Sequence, residues 1–462
     1  MNFIEQALGT FKSYAEIPFP FILLGGGLFL MLYSRFLPFR HLGHSINVLR
    51  GKYDDPNDLG EISHFEALSS ALAATVGMGN IAGVAVAVAL GGPGAIFWMW
   101  VSAFVGMATK FFTCTLAILY RGRDSAGNVQ GGPMYFIEEG LGKKWKPLAI
   151  FFSIATLFGP LPAFNANQLT QIFHDVVLIP NGIIAEATFG SNLILGLVIA
   201  ALVSIVIFGG IKRIAQVASR MVPTMVVVYV ISVLYILLKN YDRILPSLAF
   251  IVEDAFTGEA VLGGSVGAVI LIGAQRAAFS NEAGLGTAPM AHGAAKTNEP
   301  VREGLVAMLG PAIDTLVVCT MTALAILITD VWRTTNAEGV TLTVNAFNLA
   351  LPYNQLGGYV LLISVIFFSF SSLFTLSYYG TKAFSYLAGA HNAHYFNYFY
   401  VLVIVVSSVT SLTAVLSLID GMYALMAIPT MLSTILLAPR VRAAAKDYFS
   451  RLNVSTTTQK VK

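Results

Sequence analysis

Four short stretches carry residue types that can hold small polar or charged ligands without covalent chemistry. The first is Gly77-Met78-Gly79-Asn80, set in the apolar run AATVGMGNIAGVAV (73–86). Glycine in a helix interior costs about 1 kcal/mol relative to alanine, so paired glycines there mark a place where a helix opens. The half-helix that begins at such an opening offers free N–H groups and a positive dipole end, suited to a carboxylate. The half that ends there offers free carbonyls, suited to a cation. Close helix packing through small residues is the competing reading of this stretch taken alone.

The second stretch is ILIGAQRAAFSNEAGLGTAP (270–289), where Gln275, Arg276, Ser280, Asn281 and Glu282 enter an apolar run followed by Gly284 and Gly286. Polar groups at such depth point to function, unless the chain from Arg276 onward already lies in a polar loop. The third is VIFFSFSSLFTLSYYG (365–380). Phe368, Ser371 and Ser372 share one helix face by their i, i+3, i+4 spacing. One carbonyl and two hydroxyls there give three neutral oxygens, and carbonyls of the first opened helix would complete a shell for a hard monovalent cation. Otherwise these hydroxyls bond back to their own helix. The fourth is FGPLPAFNANQLTQIF (158–173), where Pro160 and Pro162 kink or break a helix. Asn165 and Gln168 then share a face, free either to bind a polar ligand or to bridge helices.

The elements that position these residues follow from composition. The chain has 462 residues, of which 56% are hydrophobic and 11% charged, with a mean hydropathy of +0.74. Soluble domains carry about 25% charged residues. Recurrent apolar runs are long enough to cross a hydrocarbon layer about 30 Å thick, which defines an all-α polytopic membrane protein. A β-barrel would show short alternating segments instead. Eleven spans are expected, at 18–37, 65–90, 94–120, 147–174, 190–210, 215–238, 262–286, 303–329, 357–386, 394–414 and 417–438. RILPSLAFIVEDAF, between spans six and seven, reads as an interfacial helix.

With the amino end outside, 22 lysines and arginines fall in inside segments and 4 (Lys12, Lys239, Arg243, Arg333) outside, with Lys110 within a span. The inside group includes Arg276 and Lys382. This split obeys the positive-inside rule with the carboxyl end cytoplasmic. The amino-terminal MNFIEQALGTFKSYAE shows no signal-cleavage pattern. Cys114 and Cys319 lie in apolar helices and read as buried small hydrophobes.

The two openings fall in spans two and seven, which run in opposite directions. Spans 2–6 and 7–11 are therefore expected to form a 5+5 inverted repeat behind one leading helix, each repeat starting with a discontinuous helix. The chain reads as a single polytopic unit, 1–462. It comprises a leading helix and loop (15–64), a first repeat (65–240), an inverted second repeat (260–438) and a basic cytoplasmic tail (439–462) near anionic lipid.

No phosphate-binding loop, HExxH pair, GxSxG elbow or repeated channel filter occurs, so neither an ATP-driven pump nor an enzyme is expected. Nothing suggests a nucleic-acid partner.

The motifs GMGNIAGVAVAVALGGPGAIFWMW (77–100), GGPMYFIEEGLG (131–142), RAAFSNEAGLGTAPMAHGAA (276–295) and FSFSSLF…SYYG (368–380) resemble the alanine or glycine:cation symporter family, from about residue 15 to 440. The resemblance implies a leucine-transporter-type fold in a prokaryotic inner membrane. It implies Na+-driven uptake of a small neutral amino acid: alanine, glycine or serine. Carried onto matching positions, the substrate carboxylate would meet backbone N–H groups near Met78 and Gly79, within the Gly77–Asn80 turn. Thr75 would lie on the same site, and Gln275 and Phe279 would line it. Na+ would be bound by carbonyls of Ala73, Val76 and Phe368 and by the hydroxyls of Ser371 and Ser372. Where family members commonly carry a glutamine followed by Ala-Asn, this chain reads Asn165-Ala166-Asn167, and the shorter amide leaves more room. A proton-coupled carrier, using Asp314 or Glu282, and a channel or sensor of the same fold are the alternatives.

Overall fold

The computed structural model describes residues 3–257, 265–353 and 355–460. The first residues of span seven as read from sequence, 262–264, lie outside them. Among the described residues the protein is helical apart from a short pairing of Gly122–Arg123 with Val129–Gln130 and one isolated bridge. Seven helices are long and apolar enough to cross a membrane, or eight when one bent pair counts as a span. These helices divide by burial. Gly94–Leu119 is central, with 89% of its apolar window inside the protein, whereas Phe189–Ile207 has 28%. Leu197, Val198, Leu202 and Ile205 of the latter are exposed. Apolar side chains left outside a close-packed core face the hydrocarbon that must cover them.

The bent pair is His64–Thr75 with Gly79–Gly91, broken at an angle of 52°. Its start is fixed by a capping box: Ser63 accepts from the Glu66 N–H, and the Glu66 carboxylate accepts from the Ser63 N–H at 2.8 Å. The second opening follows Val266–Asn281. There the chain passes through Glu282, Gly284 and Gly286, all with positive φ, before Thr287–His292 resumes. The left-handed region suits the two glycines; at Gly286 a Cβ would also meet Phe152, Thr430 and Pro133 within 2.7 Å. Between Lys146–Phe158 and Ala163–Phe173, the Gly159–Pro162 stretch is not helical, as Pro160 and Pro162 require.

Several elements differ from the sequence reading. A helix, Phe3–Ala15, precedes the first expected span and packs along Leu412–Lys460. Residues 241–257 form a separate helix. The stretch read as a tail continues the last helix to Lys460. The polar run after Gln275 is no surface loop: Arg276, Ser280, Asn281 and Glu282 are all buried. Arg276 and Lys382, grouped with the inside charges on sequence, are instead interior. Arg276 pairs with Asp420, and Lys382 donates to the Met290 carbonyl at 2.9 Å. Helix ends in sequence were set by hydropathy, which cannot tell a paired interior charge from a solvated one.

Candidate transport site

The first opening is held by a side chain from its own far edge. Asn80 accepts from the Gly77 N–H at 2.9 Å, while its backbone N–H donates to the Gly77 carbonyl at 3.1 Å. Its amide nitrogen donates to Asp314 Oδ1 at 2.8 Å and to the Asp314 carbonyl at 3.1 Å. Asp314 Oδ2 accepts from Thr315 at 2.9 Å and from Ser280, next to the second opening. One buried carboxylate therefore ties both openings together. Lys110, itself buried, lies within electrostatic reach of Asp314 and Glu282.

Against the end of His64–Thr75 lies the long helix Leu356–Ala388. Ser372 Oγ donates to the Ala73 carbonyl at 3.1 Å, and Ser371 Oγ donates to the Phe368 carbonyl at 3.0 Å. A Cβ on Gly77 would sit 2.2 Å from Ser372 Oγ and 3.5 Å from the Phe368 carbonyl oxygen. Ser372 and the Phe368 carbonyl thus flank the glycine and Ser372 reaches Ala73, whereas Ser371 bonds back to its own helix and reaches Met225 Sδ at 3.4 Å. The carbonyls and hydroxyls gathered here are neutral oxygens, the ligand type that hard cations take.

Beside them is a small cavity of about 10 Å³, near the volume that admits one water. Thr75, Met78, Gly79, Asn165, Phe279, Glu282, Ser372 and Tyr423 are among its lining residues. Phe164 and Phe279 meet edge-to-face with ring centres 4.7 Å apart, giving it an apolar wall. The residues singled out in sequence divide here. Thr75, Met78, Gly79, Asn165 and Phe279 line the cavity, and Asn80 and Gly77 build the turn behind it.

Gln168 and Gln275 are elsewhere. Gln168 Oε1 accepts from the Val340 N–H at 2.8 Å, and the residue lines a separate cavity of about 420 Å³ rich in amides and hydroxyls. Gln275 donates to Glu16 at 2.6 Å. Glu282, which the sequence offered only as a candidate for proton coupling, stands in the cavity wall. Its polarity inside an apolar run was the available signal. Tyr423 carried none, being an aromatic in an apolar helix.

Away from the openings, the segments that flank the two broken helices also meet. The segment before His64–Thr75 pairs with the one after Thr287–His292: the Glu61 N–H donates to the Ala294 carbonyl at 2.9 Å and the Thr297 N–H to the Leu59 carbonyl at 3.0 Å. Arg121 clamps both segments, donating to the carbonyls of Leu59 (3.0 Å), Gly293 (3.1 Å), Thr297 (3.0 Å) and Ala295. Below this clamp, buried Glu303 bridges His64 and His292 through its two oxygens.

This is the architecture of a membrane carrier with paired broken helices around a closed central site. The chain belongs to the sodium:alanine symporter family, whose profile matches residues 1–462. It is 40% identical over 458 residues to the sodium/alanine symporter AgcS of Methanococcus maripaludis, covering 97% of this chain and 98% of that one. It is 36% identical over 430 residues to the probable sodium/glutamine symporter GlnT of Bacillus subtilis, covering 92% and 87%. The crystal structure of MhsT in complex with L-phenylalanine superposes with a TM-score of 0.57 at 13% identity, covering 84% of this chain and 98% of that chain. The fold is thus of the leucine-transporter type, and the protein is a multi-pass membrane transporter.

Proposed function

We propose that the protein takes up a small neutral amino acid (alanine, glycine or serine) together with Na+ by alternating access. It would sit in a prokaryotic inner membrane with its amino end outside and its carboxyl end in the cytoplasm. In this reading eleven spans cross the bilayer, spans 2–6 and 7–11 form the inverted repeats, and one helix leads them. The N–H groups at Met78 and Gly79 receive the substrate carboxylate. Carbonyls of Ala73, Val76 and Phe368 with the Ser371 and Ser372 hydroxyls receive Na+. The apolar Phe164–Phe279 wall takes a side chain no larger than a few atoms.

The observation that carries the reading is that Ser372 belongs to both places: it bonds the Ala73 carbonyl and lines the cavity. A cation drawing the Ser372 hydroxyl toward itself also shapes the wall the substrate meets. Coupling then follows as a reciprocal free energy between two adjacent sites. The cavity is too small for an amino acid in this conformation, so binding requires the broken helices to move, as alternating access demands.

Radiolabelled alanine and glycine uptake into proteoliposomes tests this, with an inward Na+ gradient against a K+ control and a proton ionophore present. Accumulation that needs Na+ and survives the ionophore is expected. Accumulation abolished by the ionophore would instead favour proton coupling through Asp314 or Glu282, and equilibration without accumulation would favour a channel.

A further inference from the structure

Three buried oxygens in the central cavity have no hydrogen-bond partner: Thr75 Oγ1, Asn165 Oδ1 and Glu282 Oε2. They come from three separate elements, the first broken helix, the proline-interrupted helix and the turn of the second broken helix. Leaving a buried polar group unpaired costs about 1–3 kcal/mol, more for a charged one. Three around one cavity of this size are a prepared site for a donor. Acceptors on three sides, one of them a carboxylate, match a group with three N–H bonds and a positive charge.

We infer that Glu282, with Asn165 and Thr75, receives the α-ammonium group of the substrate. This rests on the reading above that the cavity takes an α-amino acid. The charge count agrees. Lys110, Glu282 and Asp314 are the buried ionisable side chains within mutual electrostatic reach at the site, one cation against two carboxylates. Adding one Na+ and one zwitterion brings that sum to zero. The position of Glu282 is also fixed without help from a ligand: it is the left-handed residue that ends Val266–Asn281, and its backbone N–H bonds the Ala278 carbonyl at 3.0 Å. Movement of the second broken helix therefore carries the carboxylate with it, and the ammonium is bound or released with the helix. The substrate would be clasped at both ends, carboxylate on the first broken helix and ammonium on the second.

The test uses the full chain in lipid nanodiscs at saturating Na+, with alanine and lactate as probes. Lactate keeps the methyl and carboxylate but replaces the ammonium by a hydroxyl. The wild type should prefer alanine at least hundredfold. Glu282→Gln should weaken alanine binding at least tenfold while leaving lactate binding unchanged, and Glu282→Asp should recover part of the loss. The Na+ concentration for half-saturation without amino acid, read by tryptophan fluorescence, should not move.

Unchanged alanine binding in Glu282→Gln, equal losses for alanine and lactate, or a shift confined to Na+ would each overturn the inference while leaving the transport reading intact. A wild type that binds no amino acid would overturn that reading first, and this inference with it. Should Glu282→Gln fail to fold, Thr75→Val and the wild-type preference decide. Thr75→Val should lower alanine affinity alone, and lactate binding the wild type as tightly as alanine refutes the assignment.

Discussion

Asn80 and Asp314 lie 234 residues apart in sequence and meet at 2.8 Å, amide nitrogen to carboxylate. The same carboxylate accepts from Ser280. A glycine opening weakens a helix, and here the weakening is offset by a brace shared between the two openings. In this conformation Asp314 therefore ties the two breaks to one another.

Removing that brace should loosen both openings together. Asp314→Ala removes one hydrogen bond each from the Asn80 amide and the Ser280 and Thr315 hydroxyls, at about 1 kcal/mol each, leaving them the Asp314 carbonyl, Cys319 Sγ and the Asn281 amide respectively. A fall in thermal stability and loss of uptake are expected. Asp314→Asn keeps the shape and one acceptor, so its uptake should remain Na+-driven and indifferent to a proton ionophore. Uptake that loses its ionophore sensitivity only in this variant would place the coupling on a proton at Asp314.

Ser372→Ala deletes one hydroxyl from the proposed cation shell and the bond to the Ala73 carbonyl. The Na+ concentration giving half-maximal uptake should rise about tenfold, equivalent to roughly 1.4 kcal/mol. Uptake titrated against Na+ checks this, and an unchanged midpoint removes Ser372 from the shell.

Gly77→Ala should behave unlike an ordinary helix substitution. Alanine normally favours a helix by about 1 kcal/mol over glycine. Here the added methyl would stand 2.2 Å from Ser372 Oγ, so uptake should be abolished with no gain in thermal stability. Gly9, with nothing near its Cβ position, is the control. Gly9→Ala should transport as the wild type does.

Arg121 is a fork that reaches four carbonyls on two segments, and lysine presents a single point charge instead. Arg121→Lys should speed hydrogen exchange at the Glu61 and Thr297 amides at least tenfold, with those of Gly94–Leu119 unaffected. Equal protection in both proteins would mean that the segment pairing stands without the clamp.

What the sequence made legible was mostly backbone. The openings at Gly77–Asn80 and after Asn281, and the interruption at Pro160 and Pro162, follow from residues whose conformational preferences act locally. That Phe368, Ser371 and Ser372 stand on one turn of one helix was also legible, because helical spacing fixes which side chains are neighbours. Amide partners were not. Gln168 and Gln275 look alike on paper to Asn165, yet the first bonds the Val340 N–H and the second Glu16. Asn165 alone of the three faces the cavity. Which partner an amide finds depends on the helix that arrives opposite it, and no local spacing encodes that. The same holds for Arg276, whose burial rests on Asp420 from the far end of the chain.

The last helix, Leu412–Lys460, carries Tyr423 in the cavity wall and Arg451 at its far end, where Arg451 pairs with Glu299 at 2.7 Å. Pro429 and Pro439 lie between them. Each removes one rung of the hydrogen-bond ladder and concentrates bending at its own turn. Under the transport reading proposed above, the helix would serve as a lever with two soft joints, its part beside the cavity tilting as the site opens and shuts while the basic end keeps its footing.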